Sequence, residues 1–545
     1  MCAHRLLAAV AAISLSAVGI AQTNSGSNPE FMAERFRSHV AFLADDLLEG
    51  RNTGERGHEI AARYVATQLA GLGVEPAVNG DWYQRVPFVE FELTDAPAKL
   101  TIGGTSFDNR SDVIVSASPF TDRTSIEAPV VFAGYGLDVP ALGLNDYAGL
   151  DVKGKIVAIL PGTPKGLASD IAAHLGGSAF PEKRRMAQAR GAAGIVSLIP
   201  PAAAKGFAAA AANPGRPGIT WVETSGRPFS PAPALAFAAT LGKPASDLLF
   251  AGAPKTVTDL FAEAAAGGRP KGFALAPTMK IERQGRTKSF TSPNVIGMIP
   301  GSDPKLANEY VLLMAHLDHI GISPNAPGDQ INNGALDNAT GISTLLEVAR
   351  AMTQGGKRPR RPILFAAVTG EEKGLLGAQY LAKNPVVGNG KVVGVVNLDM
   401  PVLLYDFVDV IAFGAEHSTL GPIVDRAGAR MNVKRIEDPL PEQGLFTRSD
   451  HYRFVQEGIP SVFLMTGFGN GGDKQFTNFL ATNYHKPSDD LSQPINWEAG
   501  AKFARINYLI AREIADADQA PRWYEGSFFG DTYAPGQPKA RRTAK

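Results

Sequence analysis

The sequence predicts an α/β fold with a mostly parallel central sheet, helices on both faces, and a smaller α/β module inserted into it. Three observations predict it. Short, uninterrupted apolar runs recur at 310–315 (YVLLMA), 362–368 (PILFAAV), 392–398 (VVGVVNL) and 459–465 (IPSVFLM), as suits strands covered on both faces. Helical periodicity lies between them, as at 341–352 (GISTLLEVARAM). The stretch from about 126 to 265 has a strand and helix texture of its own.

In chain order, Arg5 and the apolar run 6–18, followed by Gly19-Ile20-Ala21, read as a signal peptide over 1–21. Asn28-Pro29-Glu30 is the expected start of a helix carrying Phe36, Val40 and Leu43. A second helix is expected at 55–69, then strands at 82–93 and 99–102. In the middle module, 129–134 (PVVFAG), 155–160 (KIVAIL), 194–199 (GIVSLI) and 233–238 read as strands and 182–193 as a helix. The Ala/Gly/Pro-rich 200–218 reads as a flexible excursion. The expected organisation is a discontinuous catalytic domain over 22–125 and 266–525, the insertion at 126–265, and a mobile basic tail at 526–545.

At 545 residues the chain exceeds what one compact core holds. Lys+Arg and Asp+Glu balance at 53 each, so no long-range field draws it to nucleic acid or an anionic membrane. The single cysteine, Cys2, lies in the signal segment without a lipobox-like pattern. The mature chain then has no disulfide, no thiolate ligand and no cysteine nucleophile, so nitrogen and oxygen must hold any metal. No other run approaches a membrane-spanning length, which implies export to the periplasm or the extracellular space without stable membrane insertion.

In open α/β sheets ligands bind beyond the carboxyl ends of strands. His316-Leu317-Asp318-His319 follows the first apolar run, Thr369-Gly370-Glu371-Glu372 the second, and Asp399 ends the third. Asp337 lies between the first two runs, in GALDNATG, and Tyr484-His485 comes late, in NYHKP. Alone, each fragment reads as a turn, a cap or a packed histidine; together they gather imidazoles and carboxylates at one sheet edge. A bridging carboxylate with one imidazole and one further carboxylate per ion is a balanced two-metal site, and this donor set suits zinc, with cobalt or manganese also able to fit. His316 and Asp318 are two apart, so if the strand continues both face one side and Asp318 holds the His316 ring in the tautomer that coordinates metal. Glu371 and Glu372 are neighbours with diverging side chains, so one can bind metal while the other acts as general base.

These motifs resemble the co-catalytic zinc exopeptidases, which include leucyl-type aminopeptidases and glutamate carboxypeptidases. The resemblance rests on AHLDHIG, GALDNATG, TGEEKGLLG, VNLDM and YHKPSD. It implies two zinc ions, one held by His316 and Asp399, the other by Glu372 and His485, with Asp337 bridging. It further implies Glu371 as base, Tyr484 as oxyanion donor, and a peptide as substrate. LADDLLEGRNTGERGHE is similar to the start of the family's catalytic domain, and KGKIVAILPG with ARGAAGIV makes the insertion resemble a protease-associated domain. Leu336 stands where members often carry a second Asp. His319 and His451 are expected to line or pack around the pocket, and His39, His58, His174 and His417 to be structural or surface residues. An exported member with such an insertion implies an aminopeptidase. The alternatives are a glutamate-releasing carboxypeptidase, for which Arg448 and Arg453 are the available cations, a cyclase of N-terminal glutamine, and a receptor-like relative without metals, whose degenerate ligands are not seen here.

Overall fold

The computed structural model describes residues 29–94, 98–177, 181–212 and 217–542, so the expected signal peptide lies outside the described residues. Four parallel strands form the centre of the main sheet, in the spatial order Ile363–Val368, Glu309–His316, Lys391–Leu398 and Ser461–Thr466. Their apolar runs are continuous because both faces are covered, and alternate side chains serve opposite faces. Val311, Leu313 and Ala315 join the core under the helices Ala33–Leu43, Arg56–Gly71, Thr340–Gln354 and Trp497–Asp516. Leu312 and Met314 point the other way, against Ala378 and Leu381 of the helix Leu376–Lys383 and Phe454 of His451–Val455. Antiparallel strands flank this centre: the end of Phe273–Ile299 beside Ile363–Val368, and Asp409–Phe413 beside Ser461–Thr466. Among the described residues no helix is long and apolar enough to cross a membrane.

A second hydrophobic core draws on residues from Ala98 to Ile281. Its parallel strands run in the order Arg123–Phe132, Ile156–Ile159, Gly194–Leu198 and Ala238–Leu241. The two sheets share one strand of 27 residues, Phe273–Ile299. Its first part pairs with Arg123–Phe132 and Lys99–Ile102, its middle with Tyr83–Leu93, and its end with Ile363–Val368. The second core therefore reaches past the expected limits 126 and 265 on both sides, because Leu100, Ile102, Met279 and Ile281 bury themselves in it.

Three local expectations are corrected. The first helix begins at Ala33, with Met32 rather than Asn28 before it. Within the expected flexible stretch 200–218, Ala204–Ala212 is a helix, as a run of alanines favours. Of the expected mobile tail 526–545, residues 526–542 pack onto the body. Ser527 caps the short helix Phe528–Tyr533, Phe529 is fully buried, and Lys539 Nζ donates to the carbonyls of Gly530 and Ala534 at 2.6 Å each. Buried aromatic surface outweighs the Gly/Pro content that suggested mobility.

Candidate metal centre

The parallel strands deliver the polar groups to one edge. Glu309–His316 ends on His316, with Asp318 and His319 just beyond; Ile363–Val368 leads to Glu371 and Glu372; Lys391–Leu398 leads to Asp399. Asp337 sits in the buried turn Ala335–Ala339, and His485 follows the helix Gly472–Thr482 with a φ of 58°. Such a left-handed backbone is uncommon for a non-glycine residue and concentrates at functional sites.

The centre divides into two halves that share Asp337. His316 Nε2 lies 3.1 Å from Asp337 Oδ1 and 3.1 Å from Asp399 Oδ1. His485 Nε2 lies 3.2 Å from Asp337 Oδ2 and 3.2 Å from Glu372 Oε2. His319, fully buried, places Nδ1 2.7 Å from Glu372 Oε1 and is itself within reach of Asp337, so the second half has two imidazoles beside it. No thiolate is present, and each half offers the nitrogen and oxygen donors that zinc takes. The residues present fit a pair of divalent cations.

Groups around the donors fix their directions. His316 Nδ1 is 3.0 Å from the backbone carbonyl of Asp318. A carbonyl only accepts, so Nδ1 carries a proton and Nε2 is the nitrogen turned towards the carboxylates. Asp318 thus holds the ring through its backbone carbonyl, since the strand ends at His316. The Asp318 carboxylate instead accepts from Thr53 Oγ1 at 2.9 Å and from the Glu371 backbone N–H at 3.1 Å. Asp489 accepts from the backbone N–H groups of Leu336 and Asp337 at 2.9 and 3.0 Å, fixing the bridging turn. Ser449 Oγ donates to Asp399 Oδ2. The guanidinium of Arg51, 1% exposed, donates to the carbonyls of Leu43, Leu317, Asn333 and Gly334, tying the His316 strand end to the segment before Asp337.

Arg51, Thr53, Ser449 and Asp489 are absent from the sequence-based set. Arg51 and Thr53 lie in LLEGRNTGERG, and Asp489 follows His485 by four residues, which were the available signals.

The electrostatics follow from burial and proximity. Burial opposes the charged form of Asp337, yet the His316 and His485 rings hold its carboxyl well below the usual range. Burial also opposes a charged His316, and Asp399 and Glu371 overcome it, raising the ring well above its usual value. Burial first, with Asp399 and Glu372 adding to it, pushes Glu371 well above the carboxylate range. Burial likewise raises the Tyr484 hydroxyl, so it stays a donor at neutral pH. Tyr484 stacks on His485 with ring centroids 3.8 Å apart.

Glu371, Tyr484, His316, Asp337 and Asp399 line a small pocket of about 40 Å³, which Arg448 also borders. Glu371, Glu372, Tyr484 and His485 also border a larger cavity of about 1020 Å³, whose far wall is the helix Ser169–Gly176 at Ala172, Ala173 and His174.

An α/β fold with a parallel-centred sheet is the architecture that the motif resemblance implies. Residues 294–511 match peptidase family M28. Leupeptin-inactivating enzyme 1 of Streptomyces exfoliatus is 33% identical over 273 residues, covering 47% of this chain and 55% of that protein. Leucine aminopeptidase 1 of Trichophyton equinum is 33% identical over 235 residues, covering 42% of this chain and 59% of that protein. The chain thus spans little more than half the length of these relatives. The aminopeptidase from Aneurinibacillus sp. strain AM-1 shares the fold, with a TM-score of 0.50 and 20% identity over 90% of this chain and 96% of that one.

Proposed function

We propose that the protein is a zinc-dependent aminopeptidase, with His316, Asp337 and Asp399 holding one ion and His485, Asp337 and Glu372 the other. The observation that carries this reading is the division of Asp337: each carboxylate oxygen faces a different imidazole, and each imidazole has a further carboxylate of its own. The names of the relatives, a leucine aminopeptidase and a leupeptin-inactivating enzyme, support the substrate class. His485 is the preferred second imidazole, since its Nε2 reaches both Asp337 and Glu372, whereas His319 is hydrogen-bonded to the other oxygen of Glu372.

Bound there, a pair of zinc ions would acidify water and polarise a peptide carbonyl. The chain's own residues do the rest. Glu371, unbonded to the donors and open to both cavities, takes the proton of the attacking water and returns it to the leaving amine. Its raised pKa reflects burial among carboxylates; dications beside it favour the ionised form that a base needs. Tyr484, kept protonated, donates to the developing oxyanion. The 1–21 segment supports export, and the wall at 126–265 is read as a protease-associated insertion.

A second reading rests on Arg448, which is exposed and borders both cavities, as a cation for a substrate carboxylate would. Arg453 is engaged with the Gly374 carbonyl and Gln456. Purified protein with zinc, or with chelator, is to be given Leu-p-nitroanilide and an N-acetylated peptide ending in glutamate. Chelator-sensitive release of nitroaniline is the expected result. Release of glutamate from the blocked peptide alone would replace the aminopeptidase reading with a carboxypeptidase one.

A further inference from the structure

An imidazole and two carboxylates meet a second time, away from the catalytic centre, where the inserted module rests on the core. Asp170 lies in the first turn of the helix Ser169–Gly176, the inserted element that walls the larger cavity through Ala172, Ala173 and His174. Glu416 and His417 lie in the turn Ala415–His417, just after the core strand Asp409–Phe413. His417 Nε2 is 2.9 Å from Asp170 Oδ2 and 3.4 Å from Glu416 Oε1. One donor atom from each of the three lies within 4.8 Å of the others.

Two features separate this cluster from a surface ion pair. His417 is 8% exposed, and its Nε2 is buried without a hydrogen bond of acceptable direction, although a carboxylate oxygen is 2.9 Å away. An imidazole serving only as a donor to Asp170 would aim its N–H at that oxygen. The spacing also suits a shared ion: tetrahedral zinc with bonds of 2.0–2.1 Å places its donors about 3.3 Å apart. The donors of the catalytic centre show the same separations, 3.1–3.2 Å. The two carboxylates carry the negative charge that a dication neutralises. The arginines of this corner are engaged elsewhere, Arg435 with Asp425 and Arg542 with the Glu416 carbonyl.

We propose that Asp170, Glu416 and His417 bind a divalent transition-metal cation, zinc by donor type, separate from the catalytic pair. With three protein ligands the fourth position belongs to water, and exposed Glu416 leaves a route for the ion. The ion clamps the cavity wall to the core, since its ligands come from both bodies. Beside it, His174 reinforces the same contact through Tyr452 and through Tyr533, whose hydroxyl is 3.5 Å from Nε2.

The test compares zinc content in the dialysed wild type and His417→Gln, alongside Leu-p-nitroanilide hydrolysis as a separate readout of the catalytic centre. The variant is expected to hold one equivalent less per chain. Equal zinc content would reduce the cluster to an ion pair and overturn the proposal, whether or not the protein proves to be an aminopeptidase. Glu416→Gln, on the exposed side, leaves the packing intact and guards against a folding defect. Titration against a chromophoric chelator is expected to show one zinc bound at least about tenfold more weakly. Unchanged affinity at every site would also overturn it.

Discussion

Acid should weaken this protein through His451, and the size of the effect can be worked from its surroundings. The ring is fully buried, has no hydrogen bond of good geometry at either nitrogen, and lies 5.4 Å from the rings of both Phe446 and Phe463. Burial pushes its pKa down to about 3. The folded pKa is below the unfolded value of 6.5, so the unfolded chain takes up the proton first. The stability this gives is fully present above pH 6.5 and is lost as pH falls from 6.5 towards 3. At 1.36 kcal/mol per pKa unit, lowering the pH to 5 costs roughly 2 kcal/mol from this residue alone. His451→Leu removes the titration and keeps the apolar packing. Urea midpoints of wild type and variant are to be compared at pH 7 and pH 5, both with chelator so that metal loss is common to both. The variant is expected to lose about 2 kcal/mol less on acidification. An equal loss in both proteins would show that the ring is not held neutral, and the reasoning would fail.

Other outcomes follow from single contacts. Glu371→Gln should lower kcat by roughly 10²–10⁴ while metal content stays at the wild-type level; loss of metal would make Glu371 a ligand rather than the base. Phe529→Ala should destabilise the protein by about 3–5 kcal/mol in urea unfolding, since the ring is fully buried against His417, Phe446 and Tyr452; a neutral effect would restore the mobile tail. His58, fully buried and pushed by desolvation to about 4, should add to the acid sensitivity with the same sign, and His58→Leu should remove roughly 2 kcal/mol of the loss between pH 7 and 5.

Most of the donors were legible because their position is set by the strands that carry them. The donors His316, Glu372 and Asp399, and the base Glu371, each end or follow a continuous apolar run, and a parallel sheet sends all such ends to one edge. Asp337 and His485 are in loops, so their roles as bridge and ligand came only from the motif resemblance. The supporting groups were not legible. Arg51 acts on carbonyls of residues up to 283 positions away, and Asp489 acts on backbone N–H groups 152 and 153 positions away. Arg51 and Asp489 lie inside motif stretches, but nothing local marks which distant backbone groups they hold. That the second core extends beyond 126 and 265 was not legible for a related reason. Phe273–Ile299 serves two sheets in turn as one continuous strand, so no break in the chain marks where one core gives way to the other. The tail misled because glycine, proline and terminal lysines suggest mobility, while Trp523 and Phe529 supply the anchors.

The central claim is that Asp337 divides its two oxygens between two metal ions. Anomalous diffraction at the zinc edge from crystals of the zinc-loaded protein tests it directly. Two peaks about 3.5–4 Å apart on either side of Asp337, one beside His316 and Asp399 and the other beside Glu372 and His485, are the expected result. A single peak, or a pair not bridged by Asp337, would contradict it.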